Sequence, residues 1–281
     1  MRLLVVNPNT SAEMTATILA AARRAAGTGV SVDALNPTRG PASVEGRLDE
    51  IVSGYWALDA VLPVAHDYHG LVVACYGNHP LIGALREVLT QPVLGIMEAS
   101  ILHALPLGER FSIVTTSPQW RPLLEEGVRA LGLEDRCASV RSSALSALDT
   151  IELPADVVHE RLCDAARLAV EQDGAEVICL GCAGMAGLAE AVGAATGVPV
   201  IDGVSAAVTL ARGLVETGAR TSKRNLYRPP IPRRAIGLPA GLAAVYERSV
   251  LSHVDGHQDA RLSPDGAAPG DQTTAGGRSG A

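Results

Sequence analysis

Two stretches decide the fold. They are Leu71-Val72-Val73-Ala74-Cys75-Tyr76-Gly77-Asn78 and Val177-Ile178-Cys179-Leu180-Gly181-Cys182-Ala183-Gly184-Met185. Each is an apolar, β-prone run that stops at a cysteine and passes through small, turn-forming residues into a helical pattern, residues 81–89 in one case and 186–195 in the other. This is the signature of a buried parallel strand feeding a helix. A thiol at such a junction meets backbone N–H groups and the positive end of a helix, which favour the thiolate. In an open α/β sheet the carboxyl ends of the strands are also where ligands bind. The expectation is that Cys75 and Cys182 face each other across one small-molecule site.

Working outward, the same order of elements occurs twice. In the first half, strand 3–6 leads through Asn7-Pro8-Asn9-Thr10-Ser11 into helix 12–26, with Thr10 or Ser11 as its cap. Strand 30–35 follows, then a Pro/Gly/Ser-rich loop, then a helical pattern over 48–66 in which Pro63 marks a kink or break. The strand into Cys75, its helix, strand 92–96 and helix 99–104 complete the half. The second half restarts with strand 111–114, Thr115-Thr116-Ser117-Pro118, helix 120–130, strand 138–141 and helix 157–172. Strand 176–180 then leads to Cys182 and a helix, and strand 198–201 and helix 205–217 close the pattern.

The spacings repeat as well. Asn7 and Cys75 are 68 positions apart, and Thr115 and Cys182 are 67 apart. A Pro-Val strand begins 17 positions after each cysteine, at Pro92 and at Pro199. The reading is an α/β fold of two similar Rossmann-like βα domains with mainly parallel sheets. A pseudo-twofold axis relates them, and the active site lies in the cleft between them. Residues 1–98 with about 205–220 form the first domain and 99–204 the second. Residues 221–251, with Arg228-Pro229-Pro230-Ile231-Pro232-Arg233, form an extended segment, and 252–281 hold too little apolar surface to order.

Composition narrows the function. Hydrophobic residues make up 47% of the 281, with a single Phe, so the core is built from Ala, Val, Leu and Ile. A formal charge of −7 without a basic stripe argues against nucleic acid as a partner. No run approaches the roughly 20 apolar residues of a membrane span, and the short N-terminal run leads straight into a turn rather than a signal-peptide cleavage site. Five cysteines and no signal sequence point to reduced thiols in a cytoplasmic setting.

Two thiols facing one carbon suit two-base proton transfer. A thiolate removes a proton from a carbon acid, a thiol on the other face returns one, and the configuration inverts. No metal or organic cofactor is called for, provided that N–H and hydroxyl groups in the strand-end turns hold the developing enolate oxygen. Asn9, Ser43, Thr115, Thr116 and Ser117 stand at suitable positions, Ala183 and Gly184 follow Cys182, and Asn78 and His79 follow Cys75. His79 can tune the thiol, touch substrate or simply serve the loop. Cys137 and Cys163 read as ordinary buried residues. The C-x-x-C of Cys179 and Cys182 lacks the second pair that a zinc site needs, and Cys179 lies inside a strand, where a redox pair does not belong.

Taken together, several motifs resemble the hydantoin and allantoin racemases of the aspartate/glutamate racemase superfamily. They are Val6-Asn7-Pro8-Asn9-Thr10-Ser11, Gly40-Pro41-Ala42-Ser43-Val44-Glu45, Ala74-Cys75-Tyr76-Gly77, Ile113-Val114-Thr115-Thr116, Leu180-Gly181-Cys182-Ala183-Gly184-Met185, Val198-Pro199-Val200-Ile201-Asp202-Gly203-Val204 and Thr221-Ser222-Lys223. The resemblance spans about residues 1–238. It implies a cofactor-independent racemase with Cys75 and Cys182 as the catalytic pair, and a role for Asn9, Ser43, Thr115 and Thr116 in binding the ring or its carbonyls. It also implies a homo-oligomer.

One departure bears on the substrate. Hydantoin-type members carry an acidic Gly-Asp-Pro-Gly-like turn after the first cysteine, whereas this chain has Gly77-Asn78-His79-Pro80. A 5-substituted hydantoin, allantoin or another carbon acid is therefore open at this point. The rival readings are an aspartate/glutamate-type racemase, a maleate isomerase or arylmalonate decarboxylase-like enzyme, and a small-molecule binding protein without turnover.

Overall fold

The computed structural model describes residues 1–247. The segment expected to be disordered, 252–281, lies outside the described residues. In chain order the strands are β1 (Arg2–Val6), β2 (Ser31–Leu35), β3 (Gly70–Val73), β4 (Val93–Gly95), β5 (Phe111–Thr115), β6 (Cys137–Ser142), β7 (Val177–Gly181) and β8 (Val200–Asp202). The helices are α1 (Ala12–Ala26), α2 (Arg47–Val61), α3 (Pro80–Val88), α4 (Ile96–Ala104), α5 (Arg121–Ala130), α6 (Asp149–Glu152), α7 (Ala155–Glu171), α8 (Ala189–Thr196), α9 (Gly203–Glu216) and α10 (Ala240–Glu247).

The strands form two four-stranded sheets in the orders β2-β1-β3-β4 and β6-β5-β7-β8, with every pairing parallel. The second order is the first shifted by four strands, so the repeat in the sequence is a repeat in the topology. Central strands β1, β3, β5 and β7 are almost wholly buried. Helices cover both faces, which is why these strands are runs of Val, Leu and Ile rather than alternating patterns.

Local chemistry sets the element ends. Ser11 Oγ accepts the Met14 N–H at 3.1 Å and starts α1. Helix α2 stops at Val61 and does not run on to residue 66. Pro63 has no N–H to continue the ladder, so of the kink or break expected there the chain makes a break, followed by a separate 3-10 turn at Ala65–Asp67. Helix α4 starts at Ile96, three residues before its expected start, because the Glu98 carboxylate reaches back to accept the Gly95 N–H at 3.0 Å. The segment after residue 220 is only partly extended. It contains a 3-10 turn at Asn225–Tyr227 and the helix α10. Helix α9, last in the repeat, packs on α1 and α4.

This architecture aligns the carboxyl ends of the strands. Val6 is in register with both Leu35 and Val73, and the Ala74 N–H donates to Val6 O at 2.8 Å. Asn7 and Cys75 therefore emerge side by side at one edge of the first sheet. In the second sheet Thr115 is in register with Gly181, so Cys182 emerges beside Thr116.

Candidate active site

One cavity takes its walls from both halves. The first sheet's edge contributes Asn7, Pro8, Asn9, Met14, Val44, Ala74, Cys75 and Tyr76, and the second contributes Thr116, Trp120, Ala147, Gly181, Cys182 and Ala183. Its empty space is about 380 Å³, open solvent at the mouth included. The two thiols expected to meet share this cavity, and their charges bear on each other. No lining residue carries a formal charge.

Each wall is fixed by hydrogen bonds that follow from the turn sequences. Asn7 Nδ2 reaches Asn9 Oδ1 at 2.8 Å and Thr15 Oγ1 at 2.9 Å, which ties the first turn to α1. Asn9 Oδ1 also accepts the Ser11 N–H at 2.9 Å. These two donors orient the Asn9 amide, and its Nδ2 is left with only a thioether, Met14 Sδ at 3.3 Å. Asn9 thus keeps donor capacity at the cavity. Thr116 lines the cavity too, and among the described residues its hydroxyl has no hydrogen-bond partner.

Other residues singled out from the sequence stand elsewhere. The Thr115 hydroxyl donates to Gly181 O at 3.0 Å and bolts β5 to β7, so Thr115 does not line the cavity. The Ser43 hydroxyl is engaged by Glu45 Oε1 at 2.8 Å, and its neighbour Val44 forms the wall instead. Asn78 faces a separate cavity with Gly77, Ile82, Arg86, Met97 and Glu98. His79 is buried as the N-cap of α3. Its Nδ1 accepts the Leu81 N–H at 3.2 Å, so the ring proton sits on Nε2, 3.1 Å from Ser53 Oγ on α2. Burial pushes this imidazole down to about 4, so it is neutral. Ala183 lines the cavity; Gly184 lies just behind it, and its N–H favours the thiolate of Cys182.

The thiols depart from expectation in one respect. Helix N-termini were expected to make them acidic, yet both are pushed up. Cys75 is raised well above the usual thiol value, mainly by burial and then by the Glu50 carboxylate and Cys182. Helix α3 begins at Pro80, too far along to offset this. Cys182 caps the 3-10 turn Ala183–Met185, whose Gly184 and Met185 N–H groups favour the thiolate. Burial outweighs them, with the Glu45 charge adding to it, and the thiol is pushed up to about 11. Cys179 is buried inside β7, pushed up to about 12. Among the described residues, no cluster of three or more His, Cys, Asp or Glu side chains is arranged to hold a metal ion.

Sequence comparison bears on this arrangement directly, since residues 3–211 match the Asp/Glu/Hydantoin racemase family. The chain belongs to that family. It is 39% identical to the hydantoin racemase of Paenarthrobacter aurescens over 236 residues, 83% of this chain and 99% of that protein. The allantoin racemase from Pseudomonas fluorescens superposes with a TM-score of 0.81 at 43% identity, covering 84% of this chain and all of that one. The allantoin racemase from Klebsiella pneumoniae gives the same TM-score at 34% identity, covering 87% and 98%. This racemase-family chain is accordingly an isomerase. No helix in its described residues is long and apolar enough to cross a membrane.

Several wall residues of the racemase fold escaped the sequence reading. Trp120 is buried, and its Nε1 donates to Tyr76 O at 2.8 Å, a bond that joins the Cys75 turn to the second half. A signal existed: one of two Trp in an aromatic-poor chain stands two residues after Pro118, at the end of the Thr115-Thr116-Ser117-Pro118 turn. Met14, Val44 and Ala147 carried no such signal.

Proposed function

We propose that this protein racemises a neutral hydantoin-type ring, a 5-substituted hydantoin or allantoin, by proton transfer between Cys75 and Cys182. The thiolate of one cysteine takes the ring C5 proton, so the C–H bond breaks as an S–H bond forms. The electron pair moves onto the adjacent carbonyl as an enolate. The other cysteine's S–H bond breaks as its proton is delivered to the opposite face, and C5 is inverted. The spare donors of Asn9 and Thr116 suit the enolate oxygen. Asn78 and His79 lie outside this reading, as do the hydroxyls of Ser43 and Thr115.

One observation carries the choice of substrate: the two thiols share a cavity with no charged side chain in its wall. A free amino acid brings an ammonium and a carboxylate, and maleate brings two carboxylates. Burying such ions without partners is costly. A cyclic imide brings only carbonyls and N–H groups. The same feature weighs against a decarboxylase, which must seat an anionic carboxylate and needs only one proton-donating thiol. Self-association, implied by the family resemblance, is part of the reading, and light scattering measures it.

The test is racemisation of single enantiomers of a 5-alkyl hydantoin, allantoin and aspartate, followed by polarimetry. Deuterium uptake at C5 in D₂O is measured alongside, with the spontaneous rate subtracted. Rapid loss of rotation with the rings, none with aspartate, and loss of at least two orders of magnitude in both Cys75→Ser and Cys182→Ser are expected. Full activity in both variants would sink the two-thiol scheme. Tight binding without solvent exchange would point to a binding protein instead.

A further inference from the structure

Glu50 is a carboxylate that the scheme above leaves unused. It lies in the first turn of α2 with only 9% of its surface exposed. Among the described residues its carboxylate makes no hydrogen bond and no ion pair. It sits against the turn that carries Cys75: a methyl group built on Gly77 would stand 3.7 Å from Glu50 Oε1 and 3.3 Å from Trp120 Cζ2. A side chain at Gly77 would crowd the indole ring, while the carboxylate lies at ordinary contact distance from that position. The surrounding charges are few. Arg47 on the same helix and Glu126 on α5 oppose each other in their effect on Glu50, and they pair with each other at the surface.

The two thiols are thus placed unequally. Cys182 has the Gly184 and Met185 N–H groups on its thiolate side. The carboxylate whose charge reaches it, Glu45, is partly exposed and accepts the Ser43 hydroxyl and the Ala147 N–H. Cys75 has no such donors, and its charged neighbour is the unpartnered, desolvated Glu50. A like charge close by in a dry setting opposes ionisation strongly.

We propose that Glu50 is a positioning residue for Cys75: from its buried place beside the Cys75–Gly77 turn, its negative charge keeps Cys75 in the protonated form and leaves Cys182 to ionise first. When the first proton leaves, the site then holds one thiol and one thiolate, the half-ionised state that two-base transfer requires. This rests on the two-thiol reading for its meaning, but its test does not need turnover.

The experiment measures the alkylation of each cysteine by iodoacetamide against pH, with peptide mass spectrometry resolving Cys75 from Cys182. The full-length chain is compared with its Glu50→Gln and Glu50→Asp variants. In the alkaline range of this assay a carboxyl at position 50 is ionised, so Gln removes the charge and Asp keeps it. Glu50→Gln is expected to move the Cys75 midpoint down by about half to one pH unit, with the Cys182 midpoint unmoved and Glu50→Asp close to the parent. Three results would overturn the proposal: no shift at Cys75 in Glu50→Gln, equal shifts at both cysteines, or equal shifts in Gln and Asp, which would mark a packing effect. Failure of racemisation alone would leave this outcome readable and would bear only on the preceding section.

Discussion

Acid should unfold this protein through His79 before most carboxylates are protonated, and the size of the effect follows from the structure. The imidazole is buried, caps α3 through Nδ1 and touches Ser53 on α2 through Nε2. Its value in the folded protein is about 4, against an ordinary 6.5. Between these two the unfolded chain binds a proton and the folded chain does not, so stability rises with pH. The contribution is whole above about pH 6.5, falls as the pH drops through the window and is gone below about pH 4. At about 1.4 kcal/mol per unit, a gap of roughly 2.5 units corresponds to about 3 kcal/mol. Urea denaturation at half-unit intervals from pH 7.5 to 4.5, on the parent and on His79→Asn, measures it. Asparagine keeps a capping acceptor but does not titrate, so its stability curve should be flatter by most of that amount. Parallel curves would refute the reasoning, because they would mean that the His79 proton is not linked to folding.

Two further substitutions probe the cavity walls. Gly184→Ala would place its methyl 2.1 Å from Thr150 Oγ1, a hydroxyl held by Ala147 O at 2.6 Å. Overpacking of this kind costs about 1–3 kcal/mol, and the displaced Ala147 wall should lower activity too; Thr150→Ala in the same chain should restore part of the stability in thermal melts. Trp120→Phe removes the donor to Tyr76 O and leaves a buried carbonyl unpaired, at about 1–3 kcal/mol in chemical denaturation, with a larger loss in racemisation rate than Gly184→Ala if the Cys75 turn depends on that anchor.

The frame of this molecule is legible because its signals are local or periodic. Buried parallel strands announce themselves as short Val/Leu/Ile runs. Ser11 and Pro63 mark helix ends by chemistry that needs no distant partner. The doubled spacing from strand end to cysteine follows from the doubled topology, and it points to Cys75 and Cys182 at equivalent strand ends, where both line one cavity. What stayed hidden depends on partners brought from elsewhere in the chain. Nothing in the sequence tells that the Thr115 hydroxyl is taken by Gly181 O, or that Ser43 is engaged by Glu45, while the Asn9 amide N–H and the Thr116 hydroxyl keep donor capacity. His79 reads as a site residue from its nearness to Cys75, but folding turns it into a cap. Glu50 was invisible for the same reason. An acidic residue in the first turn of a helix is commonplace, and only tertiary packing makes this one dry.

Under the two-thiol scheme proposed above, the raised thiols look at first like a defect, since few of them are ionised near neutral pH. Burial acts on both sides of the balance. A thiolate kept from water is a stronger base toward a weakly acidic C–H bond, and proton transfer gains from that strength even as the ionised fraction falls. A two-base site also needs its pair half-ionised, with one S–H and one S⁻ present together. Two thiols in one cavity repel each other's second charge, so their protons leave in two separate steps. The mutual interaction of Cys75 and Cys182 widens that interval. The N–H donors at Cys182 and the carboxylate at Cys75 widen it again by favouring ionisation on one side and opposing it on the other. On the proposed reading, desolvation and asymmetry serve one end: they extend the pH range over which the site holds a single proton between two sulfurs.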